Sequence, residues 1–259
     1  MVQPIKRFGQ NFLLDKNIIK KIAEVIDPKP GEKIIEIGPG QGALTDLLAE
    51  SGAEVIAVEI DKRVIEFLSE SYPNVEIINQ DFLEFDLKKL NSNELRVVGN
   101  IPYNITSQII FKLIENHQIV RDFVFMVQYE VAKRMIAKKG TKDYGILAVL
   151  LGYFANAELC FKVSPNVFYP KPKVFSAVVR IDFKKKIDYS LSKIFIRIVK
   201  AAFGNRRKTL KNSLSNSIFA QLNFRGCGVD LTLRAEQLDV EDFIKLAEFA
   251  RKHFSDHIK

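Results

Sequence analysis

Between residues 33 and 128 the chain alternates short apolar runs with amphipathic stretches of about ten residues, and few folds accept that rhythm. Lys33-Ile-Ile-Glu-Ile-Gly38 is an apolar run that ends in glycines. Residues 43–50 follow as a predicted helix, with Leu44, Leu47 and Leu48 on one face. Glu54–Glu59 is a second strand, 62–71 a helix, 75–78 a third strand and 95–98 a fourth. Thr106 is expected to cap a helix reaching Asn116, and 123–127 is a fifth strand. Strands separated by helices imply βαβ units, a parallel sheet and right-handed crossovers.

The pattern changes after residue 156. Residues 159–163 and 177–183 read as strands, and the segment between them, Ser164-Pro-Asn-Val-Phe-Tyr-Pro-Lys-Pro-Lys173, has no helical period. Two successive strands without a helix predict an antiparallel hairpin at the sheet edge. Helices are expected over 190–202, 206–219 and 240–254, so the domain boundary is placed at 184. Residues 1–183 form one domain and 184–259 a second, all-helical one.

Charge supports that division. Residues 1–183 hold 23 Lys and Arg against 23 Asp and Glu, whereas 184–259 hold 16 against 8 and carry the whole net charge of +8. Within 184–211 there are ten basic residues and one acidic residue, a density suited to a polyanion. An acidic substrate or a membrane surface would also suit it. The longest apolar run, 146–155, falls short of the roughly 20 residues that span a bilayer. No apolar leader follows Met1, and Cys160 and Cys227 lie far apart, which fits buried thiols in a reduced, cytoplasmic setting.

Glu36-Ile-Gly38-Pro-Gly40-Gln-Gly42-Ala43 lies where the first strand turns into a helix. In a doubly wound sheet that turn sits at the ligand-binding edge. Glu59, at the end of the second strand, is placed to accept from ribose hydroxyls. Gly38-x-Gly40-x-x-Ala43 with Glu59 also satisfies the dinucleotide fingerprint, so a nicotinamide dehydrogenase remains open at this point. Two features favour S-adenosylmethionine: an acidic residue, Glu36, two positions before the first glycine, and Asp81-Phe82 at the third strand end. There an acid can accept from an adenine amine while an aromatic ring packs on the base; Asp81 also suits a simple turn cap.

Asn100-Ile101-Pro102-Tyr103 ends the fourth strand. An aromatic amine is a weak nucleophile because its lone pair is delocalised into the ring. Acceptors for both of its hydrogens, the Asn100 side-chain oxygen and a backbone carbonyl near Ile101–Pro102, would draw the nitrogen toward a tetrahedral shape. Pro102 stiffens the turn and Tyr103 can stack on a base. No strong general base is needed, so the gain rests on positioning and preorganised acceptors.

These motifs, together with Phe8-Gly-Gln-Asn-Phe-Leu13, Val58-Glu59-Ile60-Asp61 and Phe168-Tyr-Pro-Lys-Pro-Lys-Val174 with Ser176, resemble the small-subunit ribosomal RNA adenine dimethyltransferase family from Phe8 to about Leu238. The resemblance implies a Rossmann-like class I methyltransferase sheet, a small all-α C-terminal domain and S-adenosyl-L-methionine as methyl donor. It implies that Gln10, Asn11 and the backbone at Leu13 close over the cofactor, with Gly38, Gly40, Glu59, Ile60, Asp81 and Phe82 holding it and Asn100 also lining its site. It implies that Asn100 holds the target amine, and that Tyr103 and Phe168 sandwich the target base. The expected substrate is two adjacent adenosines in the 3′-terminal hairpin loop of small-subunit rRNA within a partly assembled subunit. Arg206, Arg207, Lys208 and Lys211 are expected on rRNA phosphates. Phe175 departs from the family pattern, which suggests a polar residue there, and Asn166-Val167 stand where smaller residues are common.

The erythromycin-resistance type, acting on large-subunit rRNA, is the nearest alternative; the basic C-terminal region and the Phe168 segment favour the small-subunit type. DNA adenine and protein glutamine methyltransferases usually place proline directly after the Asn or Asp, whereas Ile101 intervenes here. A non-catalytic assembly factor on the same fold is the reading from another class. His253 and His257 have helical metal spacing but no third ligand nearby, and His117 reads as a helix cap. No metal and no membrane are expected, and the chain is expected to be a monomer.

Overall fold

The computed structural model describes residues 3–5, 9–184, 186–205 and 207–253. They fall into two compact units. One comprises Met1–Ala132 with Ala157–Phe183, and the other Lys133–Asn156 with Lys184–Lys259. The second therefore takes a segment that a single boundary at 184 leaves out.

The first unit is built on β2 (Lys33–Ile37), β3 (Glu54–Glu59), β4 (Glu76–Asn79), β5 (Leu95–Asn100), β6 (Val120–Gln128), β7 (Ala155–Val163) and β9 (Ser176–Phe183), ordered β4-β3-β2-β5-β6-β9-β7. The strands from β4 to β6 pair in parallel, β9 runs antiparallel to β6, and β7 is the edge strand. The β7–β9 adjacency is the expected edge hairpin. Strands buried on both faces carry continuous apolar runs, as Ile34-Ile35 and Val55-Ile56-Ala57-Val58 do. Helices α2 (Thr45–Glu50), α3 (Lys62–Ser71) and α4 (Thr106–Glu115) supply the crossovers. Asp61 caps α3 by accepting from the Arg63 N–H, whereas α4 departs from expectation. Its N-cap is Ile105, and Thr106, already helical, donates its hydroxyl to the Pro102 carbonyl at 3.1 Å.

Two elements were not anticipated. Helix α1 (Lys16–Ile26) is capped by Asp15, which accepts from the N–H groups of Asn17 and Ile18. Ahead of it, β1 (Phe12–Leu13) pairs antiparallel with β8 (Phe168–Tyr169) in a separate two-stranded ribbon. Phe12 and Leu13 are thus a fixed part of the unit.

In the second unit, α6 (Ile146–Phe154) is apolar on every side, the signature of a helix with no solvent face. Its Tyr153 stacks on Phe195 of α7 (Tyr189–Phe203) with ring centroids 4.1 Å apart. Phe203 stacks on Phe243 of α9 (Val240–His253). Between them α8 (Leu210–Ser215) is shorter than the predicted 206–219. Asn216 and Ser217 turn their side chains onto the carbonyls of Asn212 and Leu214, and such local competition ends helices. α5 (Tyr129–Met135) follows β6 directly. No helix among the described residues is long and apolar enough to cross a membrane.

Candidate active site

The carboxyl ends of β2, β3, β4 and β5 open into a cleft of about 250 Å³. Each strand end delivers one part of it. After β2 the chain turns through Gly38 and Gly40, with φ of 64° and 59°, a region that favours glycine. At Gly40 a Cβ would also come within 3.1 Å of the Phe12 ring. The Gly40 N–H donates to Glu59 Oε2 at 3.2 Å, and the Asp61 N–H donates to Glu59 Oε1 at 2.8 Å. Burial pushes the Glu59 carboxyl above the usual range, opposed by these backbone donors. The Ile60 N–H is a third backbone donor to this carboxylate, whose two oxygens offer about four acceptor sites in all. Glu36 lies deeper; burial raises it to about 7, against the Thr45 hydroxyl that donates to it at 2.7 Å.

At the end of β4, Asp81 serves as a turn cap, with Oδ1 accepting from the Leu83 N–H at 2.8 Å. It also lines the cleft beside the buried ring of Phe82, so its two candidate roles coexist on different oxygens. A residue that sequence reasoning missed holds this turn. Lys112 of α4 donates to the carbonyls of Leu83 at 2.8 Å and Phe85 at 2.5 Å, and its ammonium lies 5.3 Å from the Phe82 ring centre. Burial lowers its pKa, while Asp81 and Asp86 raise it. On a helix, a lone lysine gives no sequence signal for such a task.

The N-terminal segment forms one wall. Gln10 donates to Asp61 Oδ2 at 3.0 Å and accepts from the Ile5 N–H at 2.8 Å. The Arg63 guanidinium on Asp61 holds that carboxyl down at about 2, burial opposing and Gln10 assisting. Asn100, the last residue of β5, donates through Nδ2 to the Asn11 carbonyl at 2.8 Å. Its Oδ1 remains as the acceptor. Tyr103 shares a 2.6 Å hydrogen bond with the buried Ser176, and burial raises its phenol pKa.

The cleft brings together Gln10, Asn11, Leu13, Gly38, Gly40, Glu59, Ile60, Asp81, Phe82, Asn100, Pro102 and Tyr103. Phe168 is not among its walls. It is 4% exposed and packs in the core with Leu13, Val163 and Val178. Its strand supports Leu13, and the Leu14 N–H donates to the Val167 carbonyl at 2.9 Å. The structure therefore brings Tyr103 to the cleft wall but not Phe168, its expected partner across a target base. Arg207, Lys208 and Lys211 are exposed around the start of α8, while Arg206 and Phe8 lie outside the described residues. His257 does too; His117 bonds the Ile114 carbonyl through Nδ1 at 2.8 Å, as a cap does. Among the described residues no group of three His, Cys, Asp or Glu is placed to hold a metal ion.

The model of the family described as "Ribosomal RNA adenine dimethylase" matches residues 2–252. The ribosomal RNA small subunit methyltransferase A of Pseudomonas syringae pv. tomato is 43% identical over 250 residues, covering 94% of this chain and 93% of its own. That of Chlorobium phaeobacteroides is 45% identical over 242 residues, covering 93% and 91%. Among solved structures, a dimethyladenosine transferase from Plasmodium falciparum superposes with a TM-score of 0.76 at 27% identity, over 93% of this chain and 98% of its own. The 23S rRNA methyltransferase ErmE gives 0.67 at 29% identity, over 92% and 98%. With the family model matching residues 2–252 and relatives 43–45% identical over nearly the whole chain, the chain belongs to the ribosomal RNA adenine dimethylase family.

Proposed function

We propose that this chain is an S-adenosylmethionine-dependent methyltransferase that converts two adjacent adenosines in the 3′-terminal hairpin loop of small-subunit rRNA to N6,N6-dimethyladenosine. The observation that carries the reading is Asn100, whose amide nitrogen is tied to the Asn11 carbonyl so that its oxygen is left to accept from an amine. It stands at the end of β5, in the same cleft as the Gly38–Gly40 turn, Glu59 and Asp81. The names of the 43–45% identical relatives support the small subunit over the large.

These residues suit the methyl donor. The cleft offers a glycine cradle for its methionine portion, Glu59 for the ribose and Asp81 with Phe82 for the adenine. When bound, S-adenosylmethionine supplies an electrophilic methyl group on sulfur. Asn100 Oδ1 accepts one hydrogen of the target amine. The Pro102 carbonyl already accepts from the Thr106 hydroxyl and the Ile105 N–H, so the Ile101 carbonyl takes the second. Two acceptors at fixed positions hold the nitrogen lone pair along the line of transfer, a positioning contribution made before reaction. Tyr103, braced by Ser176, stacks on the base, which must leave its loop stack at a cost of about a few kcal/mol.

The charge partition supports a division of labour. Counted over the two structural units, the sheet unit carries 18 basic and 22 acidic residues and the helical unit 21 and 9, net −4 against +12. The helical unit binds rRNA phosphates, with Arg206, Arg207, Lys208 and Lys211 among its contacts. The protein acts in the cytoplasm, as a monomer, on a partly assembled small subunit.

Label from S-adenosylmethionine is expected as dimethyladenosine in unmethylated small subunits and not in large subunits or DNA. Label in large-subunit RNA instead would overturn the substrate assignment, and no transfer despite cofactor binding would favour an assembly factor. Reversing the charge of Arg206 and Arg207 to glutamate should weaken subunit binding. The slope of log affinity against log salt should fall by about two, roughly one per lost phosphate contact. An unchanged slope would remove those two residues from the RNA interface.

A further inference from the structure

Beside the cleft, at the same edge of the sheet, β6 ends, β9 begins and β7 ends. The last β6–β9 pair is Gln128 with Ser176, and the Tyr129 N–H donates to the Phe175 carbonyl at 2.9 Å. Here the surface is aromatic. Phe175 is 46% exposed, Val174 45% and Tyr169 53%. The Lys162 ammonium lies 3.8 Å from the centre of the Phe175 ring and 4.8 Å from that of Tyr129. Lys171 and Lys173 are exposed nearby in sequence, and residues 159–181 carry four basic residues and no acidic one. This local charge runs against the net −4 of its own unit.

We propose that Phe175, with Lys162 and Tyr129, is a stacking platform for one unpaired nucleotide of the RNA substrate next to the adenosine that enters the cleft. The proposal rests on the methyltransferase reading above. Three observations carry it. A half-exposed phenylalanine at a strand start has no core to fill, and it stands where the family pattern suggests a polar residue. With the Lys162 ammonium over one face of the half-exposed ring, the opposite face is the one for a base and the cation serves the adjoining phosphate, the combination used for single strands. The platform is also continuous with the cleft. Phe175 precedes Ser176, which holds Tyr103 at 2.6 Å, and β9 lies two strand spacings from β5, roughly 10 Å. A short stretch of strand spans that gap. The positive charge favours RNA over an acidic-poor protein surface as the occupant.

The test uses the full-length protein with unmethylated small subunits and labelled S-adenosylmethionine. Phe175→Ala should raise KM for subunits about tenfold, since a stacked base is worth roughly 5- to 150-fold. The maximal rate and the cofactor Kd should stay at parent values, and Phe175→Tyr should restore KM. A photo-crosslinking amino acid at position 175 should label a nucleotide flanking the methylated pair. An unchanged KM for Phe175→Ala overturns the platform, as does a fall in maximal rate at constant KM, which would mean action through Ser176 and Tyr103. A crosslink to a ribosomal protein overturns the assignment of RNA as occupant. Absence of transfer by the parent protein would instead sink the methyltransferase reading itself.

Discussion

Asn100→Ala is expected to lower the maximal rate of methyl transfer by about 10²–10³-fold, the usual cost of deleting one preorganised polar group at a reacting centre. Cofactor affinity, measured by calorimetry, should stay close to that of the parent, because Glu59, Asp81 and the glycine turn are untouched. The size of the effect follows from what alanine removes. It takes away the acceptor for the target amine and also releases the Asn11 carbonyl, whose partner is Asn100 Nδ2 at 2.8 Å. Asn100→Asp separates the two losses. It keeps an acceptor oxygen but sets a carboxylate against the Asn11 carbonyl, so it should fall between parent and alanine in rate. Undiminished turnover by Asn100→Ala would end the role assigned to this residue.

The parts of this site that were legible in the sequence are those fixed by local chemistry. Strand ends, a glycine turn and an acid at each successive edge are short-range patterns, and Gly38, Gly40, Glu59, Asp81 and Asn100 all reach the cleft. What was not legible depends on partners far away in the chain. Leu13 is held by pairing with Phe168, more than 150 residues on, a partner that no local pattern announces. The same pairing draws Phe168 into the core and away from the cleft wall where the resemblance places it. Lys112 acts on a turn nearly 30 residues before it, and only the fold shows why. The apolar residues of α6 have no period because nearly every side is buried, so the pattern could not say which unit the helix joins.

Arg96→Ala should cost about 3–5 kcal/mol of stability, the range for breaking one partner out of a buried ion pair. That is a large share of the roughly 5–15 kcal/mol that holds a typical domain folded. Arg96 is 2% exposed, on β5, directly across from Asp122 on β6. Its guanidinium donates to both Asp122 oxygens, to Glu32 at 2.6 Å and to the Ile26 and Asp27 carbonyls. Arg180 on β9 donates to Asp122, to Asp182 and to the Val25 carbonyl. Two arginines thus satisfy the open carbonyls at the C-terminal end of α1 and weld that helix to three strands. Alanine would leave Asp122 buried with only the partly exposed Arg180 at 3.3 Å and Arg121 at 4.0 Å beside it. Urea unfolding of the single variant should show the full loss, and the double variant Arg96→Met with Asp122→Val should recover part of it, because an apolar pair leaves no unpaired charge. Acid should weaken the same cluster. Burial pushes Glu32 up, but the Lys29 N–H and the guanidiniums of Arg96 and Arg121 outweigh it and hold the carboxyl at about 2. A depressed carboxyl stabilises the fold above its unfolded pKa, near 4.5, and that contribution fades as pH falls toward 2. Glu32→Gln should therefore lose stability at neutral pH and show a shallower acid dependence below pH 4.5. A single Arg96→Ala variant within about 1 kcal/mol of the parent, the range of ordinary surface changes, would show that the cluster contributes little to holding α1 on the sheet.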